Sequence, residues 1–195
     1  MLNVQLDGLV CSYAGDTSDL CYVWKSGSSL AYVSTWDGTI LAFNLFDGSK
    51  LSFNKSSPIS RIEVDPACEN NCWAGDIEGC VEFINIISKK SESVYKHTST
   101  VSGLSSMPHL NAIVSSSWDG SVCLHSYCKE FCGISKVPDP VIALDSNQNY
   151  VLVSTSKRYL YLFDIRNFSN AVKERVIPLA HQIRSLKLLS DNSGN

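Results

Sequence analysis

The sequence has no large excess of charge of either sign, no long apolar run and no helical periodicity, and each absence removes a class of protein. Sixteen Lys plus Arg stand against nineteen Asp plus Glu, a formal charge of -3. No global field therefore draws the chain to DNA or an anionic membrane, and any basic site is local. Direct nucleic-acid and membrane partners are not expected. No apolar run approaches the ~18 residues of a membrane span, and Met1-Leu2-Asn3-Val4-Gln5 has neither the basic start nor the apolar stretch of a secretory signal. An intracellular setting is expected. There is no Gly-x-Ser-x-Gly elbow, phosphate loop, dinucleotide fingerprint or His-Glu-x-x-His. His97, His109, His125 and His181 are spread along the chain, so each is expected to satisfy local hydrogen bonds. The sequence predicts no enzyme, no cofactor and no small-molecule substrate.

What is present is a composition with 44% hydrophobic and 18% charged residues, that of a globular protein with a sizeable core. Eight cysteines are scattered through β-rich segments without a secretory signal, which predicts reduced thiols. Cys68 and Cys72, like Cys128 and Cys132, have a spacing that zinc ligands use. A structural site needs four ligands together, no histidine lies inside either pair, and the expectation is buried thiols and no metal.

The chain repeats. Ser34-Thr35-Trp36-Asp37-Gly38-Thr39, Ala74-Gly75-Asp76-Ile77-Glu78-Gly79, Ser116-Ser117-Trp118-Asp119-Gly120-Ser121 and Thr155-Ser156-Lys157-Arg158-Tyr159 recur with spacings of 41, 41 and 39 when counted at 36, 77, 118 and 157. A period of about 40 residues containing several short strands indicates a β-propeller. In the third unit the strand-like runs are Val101 to Met107, Asn111 to Ser117, Ser121 to Tyr127 and Glu130 to Lys136. In the fourth they are Val141 to Ser146, Tyr150 to Ser156, Tyr159 to Ile165 and Lys173 to Ile177. The Asp-Gly pairs at 37 to 38 and 119 to 120 predict tight hairpin turns with positive φ at both central residues.

The fold class expected is all-β, an incomplete WD-repeat propeller in a single domain over 1–195. Its blades span about 8–55, 59–97, 101–136 and 141–178, and Ile183 to Leu189 opens a fifth, about 183–190. Seven such periods need about 290 residues, so the expectation is a fragment, a truncated gene product, or a ring completed by another segment.

In a four-stranded meander the turn from second to third strand lies on the same edge as the loop to the next sheet. This predicts that Trp36, Glu78, Trp118, Lys157 and Arg158 share an edge with loops 56–58, 98–100, 137–140 and 179–182, and that His181 and Arg184 join them. Tryptophan and arginine are favoured interface anchors, and phosphothreonine is a ligand suited to a basic cluster. The candidate partner-binding residues are therefore Trp36, Arg184, Trp118, Lys157 and Arg158. The alternative placement for both tryptophans is packing between sheets, and for Arg184 a solvated charge at a strand end.

The segments Val33-Ser34-Thr35-Trp36-Asp37-Gly38-Thr39, Ser115-Ser116-Ser117-Trp118-Asp119-Gly120, Tyr161-Leu162-Phe163-Asp164-Ile165-Arg166-Asn167 and His181-Gln182-Ile183-Arg184 give a resemblance to one WD-repeat branch. The chain resembles the mitotic-checkpoint propeller of the budding-uninhibited-by-benzimidazole group, whose close relative is the mRNA-export propeller of the nuclear pore. The resemblance implies a spindle-checkpoint adaptor whose rim binds a checkpoint kinase motif and a phosphopeptide of a kinetochore scaffold. It also implies location in the nucleus and at mitotic kinetochores, with cytoplasm open. It places Trp36 as an apolar wall and Arg184 opposite a partner glutamate or phosphothreonine. The alternative it leaves is an export adaptor binding a nucleoporin motif.

Overall fold

The structure, a computed structural model, describes residues 2–6, 9–13, 16–25, 28–128 and 131–189. They form strands and one short 3-10 turn, Pro108–Leu110. The chain divides into two compact units, residues 1–96 and 97–195.

In the first unit β1 (Leu2–Leu6) and β2 (Leu9–Tyr13) pair as a separate hairpin. β3 (Thr17–Lys25), β4 (Ser28–Thr35), β5 (Thr39–Asn44) and β6 (Lys50–Asn54) make one four-stranded sheet. β7 (Ile59–Val64), β8 (Asn71–Asp76), β9 (Cys80–Asn85) and β10 (Lys90–Lys96) make the next. In the second unit β11 (Val101–Met107), β12 (Ala112–Ser117), β13 (Ser121–Ser126) and β14 (Phe131–Lys136) form a third sheet. β15 (Val141–Ser146), β16 (Tyr150–Thr155), β17 (Tyr159–Asp164) and β18 (Asn167–Val176) form a fourth. All four sheets are antiparallel meanders in chain order, consistent with an incomplete WD-repeat propeller.

Alternation explains the cores. β15 buries Val141, Ala143 and Asp145 and half-buries the residues between, as a strand covered on one face does. Tyr32, Ile40, Ile59, Ile62, Cys72 and Ile84 cluster in the first unit, and Val114, Val122, Val141, Val153 and Phe163 in the second. Each core lies between neighbouring sheets, so a sheet is stable through the one beside it. The fourth strands carry the exposure: β6 and β10 are largely solvated, and β18 buries only Phe168.

Three readings differ in detail. Lys173 to Val176 are the end of a longer strand, Asn167–Val176, bulged twice against β17, and Ile177 lies just past it. Glu130 lies outside the described residues, as does the position at 190. Ile183 to Leu189 forms no ladder among the described residues.

Candidate functional site

The turn from second to third strand is built alike in each sheet. In the first, Gly38 N donates to Thr35 O at 3.1 Å, and Gly79 to Asp76, Gly120 to Ser117 and Arg158 to Thr155 make the same closure. Only the last residue of each turn is left-handed: Gly38 at φ 86°, Gly79 at 88°, Gly120 at 82° and Arg158 at 67°. Asp37 and Asp119 are not among the positive-φ residues, so the expected two-residue turn is corrected to a three-residue loop with a left-handed end. The equivalence also shifts the fourth repeat by one position. Ser156, not Lys157, corresponds to Trp118, so that spacing is 38, and Arg158 holds the glycine place.

The loop to the next sheet presses on this turn. A side-chain carbon on Gly38 would stand 2.3 Å from Lys55 O, and one on Gly120 2.5 Å from Val137 O. Only glycine permits that approach. Lys55 N donates to Gly38 O and Ile77 N to Pro58 O in the first unit. In the second, Trp118 N donates to Thr100 O, Val137 N to Gly120 O, Ser156 N to Pro140 O and Ile177 N to Arg158 O. Within each unit, turns and inter-sheet loops therefore lie along one edge.

On the first unit's edge Trp36 is 49% exposed, with Ile77 at the equivalent turn position. On the second unit's edge Trp118 is 51% exposed, so neither tryptophan is packed away between sheets. Lys157 reaches Asp139 Oδ1 at 2.8 Å from a largely solvated position. Arg158 spends its guanidinium on the carbonyl of Leu179. His181 and Arg184 are exposed, and Arg184 makes no ion pair among the described residues. The structure thus brings Lys157 to Asp139 and Arg158 to Leu179, and leaves Trp118 and Arg184 facing solvent.

Beneath the Trp118 turn lies a network not read from the sequence. Asp119 Oδ1 accepts from Ser121 Oγ at 2.5 Å and from Ser121 N at 2.8 Å, and Oδ2 accepts from Thr98 N and Thr98 Oγ1. Burial opposes its charge, yet those bonds prevail and hold the carboxyl down at about 2. Ser121 Oγ lies 2.6 Å from His97 Nδ1, Ser115 Oγ 2.9 Å from His97 Nε2, and His125 Nε2 3.3 Å from Ser115 Oγ. A carboxylate only accepts, so the chain has one direction: His125 N–H to Ser115, Ser115 O–H to His97, His97 N–H to Ser121, Ser121 O–H to Asp119. Burial lowers both imidazoles to about 4, with Asp119 pulling His97 upward and His97 pushing His125 further down. Both rings are neutral at pH 7.

The first unit has an ionic counterpart. Lys55 Nζ stands 2.8 Å from both Asp76 Oδ2 and Glu82 Oε1, with all three side chains largely buried. Burial opposes the ammonium, but the two carboxylates raise its pKa above the usual value. The sequence signal for both networks was faint: a run of serines inside a buried strand and a lone lysine between sheets.

No family model matches the chain. It is 26% identical over 170 residues, 84% of its length, to the mitotic checkpoint protein bub-3 of Caenorhabditis elegans. It is 25% identical over 154 residues, 77% of its length, to the spindle assembly checkpoint protein bub3 of Schizosaccharomyces pombe. The Bub3 checkpoint proteins are its distant homologues. The resemblance drawn from the Trp-Asp-Gly and Asp-Ile-Arg-Asn segments agrees with these Bub3 matches. The chain spans about half the length of these curated relatives, 49% and 48%. In fold it is similar to the crystal structure of the computationally designed Ika8 protein, with a TM-score of 0.72 and 17% identity over 87% of this chain and 52% of that one.

Proposed function

We propose that the chain is an adaptor of the spindle assembly checkpoint that grips peptide segments of other proteins along the turn-and-loop edge of each unit. The partners are a checkpoint kinase motif and a phosphorylated kinetochore-scaffold peptide, and the setting is the nucleus and the mitotic kinetochore. The observation that carries this reading is the half-exposed tryptophan at a turn whose backbone is already pinned. Trp118 has its amide on Thr100 and Gly120 under Val137, so the turn that carries its half-exposed indole is fixed. A large aromatic surface presented on a fixed turn suits an interface anchor. Trp36 meets the same description in the first unit. Homology to Bub3 checkpoint proteins supports the choice of partner class.

In this reading Arg184 pairs with a glutamate or phosphothreonine of the partner, Lys157 exchanges Asp139 for the ligand, and Arg158 supports the edge through Leu179. The test is affinity capture from mitotic cells with the wild-type chain and with W36A/W118A. Recovery of a checkpoint kinase by the wild type alone is expected. Recovery of a nucleoporin in its place assigns the edge to export, and equal recovery by both chains removes the tryptophans from the site.

A further inference from the structure

The first unit's edge differs from the second's in the charge that borders its apolar side chains. Trp36 and Ile77 stand on turns that flank one loop: Gly38 lies under the Lys55 and Ser57 carbonyls, and Ile77 N donates to Pro58 O at 3.2 Å. Both side chains are exposed, at 49% and 39%. Carboxylates border them. Asp16, whose carbonyl takes the Trp36 amide at 3.1 Å, is exposed, as are Asp37 and Glu78 next in the chain to the two apolar residues. Asp37 is oriented, its Oδ1 accepting from Thr39 N at 3.0 Å.

The lysines nearby do not cancel this charge. Lys55 is turned inward between Asp76 and Glu82. Lys96 approaches Glu78 only to 3.8 Å, with both side chains more than half exposed, a pair that water and salt weaken to little. The fourth sheet reverses the sign at the same place. Ser156 N donates to Pro140 O as Ile77 N does to Pro58 O, and Arg158 closes on Thr155 as Gly79 does on Asp76. Ser156 and Lys157 therefore hold the positions of Ile77 and Glu78, so an apolar and acidic pair in the first unit is a polar and basic pair in the second.

We infer that the edge of Trp36 and Ile77 selects a basic, apolar peptide segment, with an arginine or lysine on the Trp36 ring beside Asp16 and Asp37, an apolar residue on Ile77 and a second cation at Glu78. This rests on the reading of the turn-and-loop edge as a peptide site and adds the chemistry of the occupant. A cation over a tryptophan face is drawn by the ring's quadrupole. The bordering carboxylates attract the same cation, and an anionic segment meets like charge, which excludes wrong partners more strongly than it raises affinity for the right one. A phosphopeptide accordingly belongs to Lys157 and Arg184 on the second unit's edge, and the first unit's edge takes the opposite charge.

The probe is the synthetic peptide Gly-Arg-Ala-Leu-Ala-Arg-Gly, titrated into the whole chain by fluorescence anisotropy beside a twin with glutamate in place of both arginines. Saturable binding of the arginine peptide is expected, weakened by salt, with the twin about tenfold weaker or more. W36A and D37N/E78Q are each expected to weaken the arginine peptide about tenfold. E92Q removes an exposed carboxylate from β10, away from the edge, and is expected to bind as the wild type does. Equal binding of the two peptides, both lost in W36A, overturns the charge preference and leaves the edge a peptide site. Binding that W36A does not alter overturns both readings. A loss in E92Q as large as in D37N/E78Q overturns the inference, since net charge alone then draws the peptide. So does a dimer of this chain that W36A dissolves, which assigns the edge to a second copy.

Discussion

Arg158 stands at the left-handed turn position that glycine fills in the other three sheets, and its guanidinium closes on the carbonyl of Leu179. Two opposed effects meet in one residue. A β-carbon at φ 67° is strained, while a charged donor on a backbone carbonyl stabilises the loop.

Comparing R158A with R158G separates those effects. Both lose the bond to Leu179, and only the glycine variant relieves the backbone. R158G is expected to be more stable than R158A by about 1 kcal/mol in urea unfolding. Equal midpoints would show that the turn relaxes around any residue.

The Lys55 cluster is expected to be the most mutation-sensitive charge of the first unit. K55A leaves Asp76 and Glu82 facing each other in a buried place with no cation. A loss of about 3 to 5 kcal/mol is expected from breaking such a pair on one side only. Urea unfolding measures it, and a loss under about 1 kcal/mol would mean that water reaches the carboxylates.

Acid should destabilise the second unit before the first. His97 and His125 are held at about 4 in the folded state by burial, against about 6.5 in an unfolded chain. Their folded values are depressed, so the unfolded state binds more protons between those limits. Stability is therefore complete above about pH 6.5 and is lost as pH falls toward 4, at up to about 1.4 kcal/mol per pH unit for each ring. Asp119, at about 2, titrates below that window. Urea midpoints at pH 7 and pH 5 check this, H97Q should flatten the profile, and a wild-type midpoint constant over the range contradicts the neutral-ring assignment.

At the proposed edge, binding and stability should part company. W118A removes a side chain that is half in solvent, so unfolding should change by less than about 1 kcal/mol. Partner affinity should fall by about 2 kcal/mol, as for an interface anchor. R184A should weaken binding by about 2 kcal/mol or more if its charge is buried against a partner acid. Isothermal titration with the captured partner reads both, and an unchanged dissociation constant removes that residue from the site.

Much of the fold was legible because a sheet repeat writes its periods twice, in alternation and in turns. Val101 to Met107 was bounded to the residue, and the strand stops where Pro108 follows, since proline has no N–H for the ladder. The Trp-Asp-Gly turns were legible as turns because their glycine tolerates positive φ, although Asp37 and Asp119 do not share it as expected. That argument also hid the fourth turn, where Arg158 adopts the corner without the residue type that signals it.

The sequence by itself determined the meanders, a period of about 40 residues, the left-handed glycines 38 and 120 and the resemblance to Bub3 checkpoint proteins, because each is carried by spacing and residue type along the chain. Only the tertiary structure decided that Trp36 and Trp118 stay half in solvent, that Lys157 is held by Asp139, that His97 and His125 are neutral relays ending on Asp119, and that Asp145 and Ser154 bind the segment Ile183 to Leu189. Those outcomes depend on which groups from other sheets come within a few ångströms, and one-dimensional spacing carries no term for that.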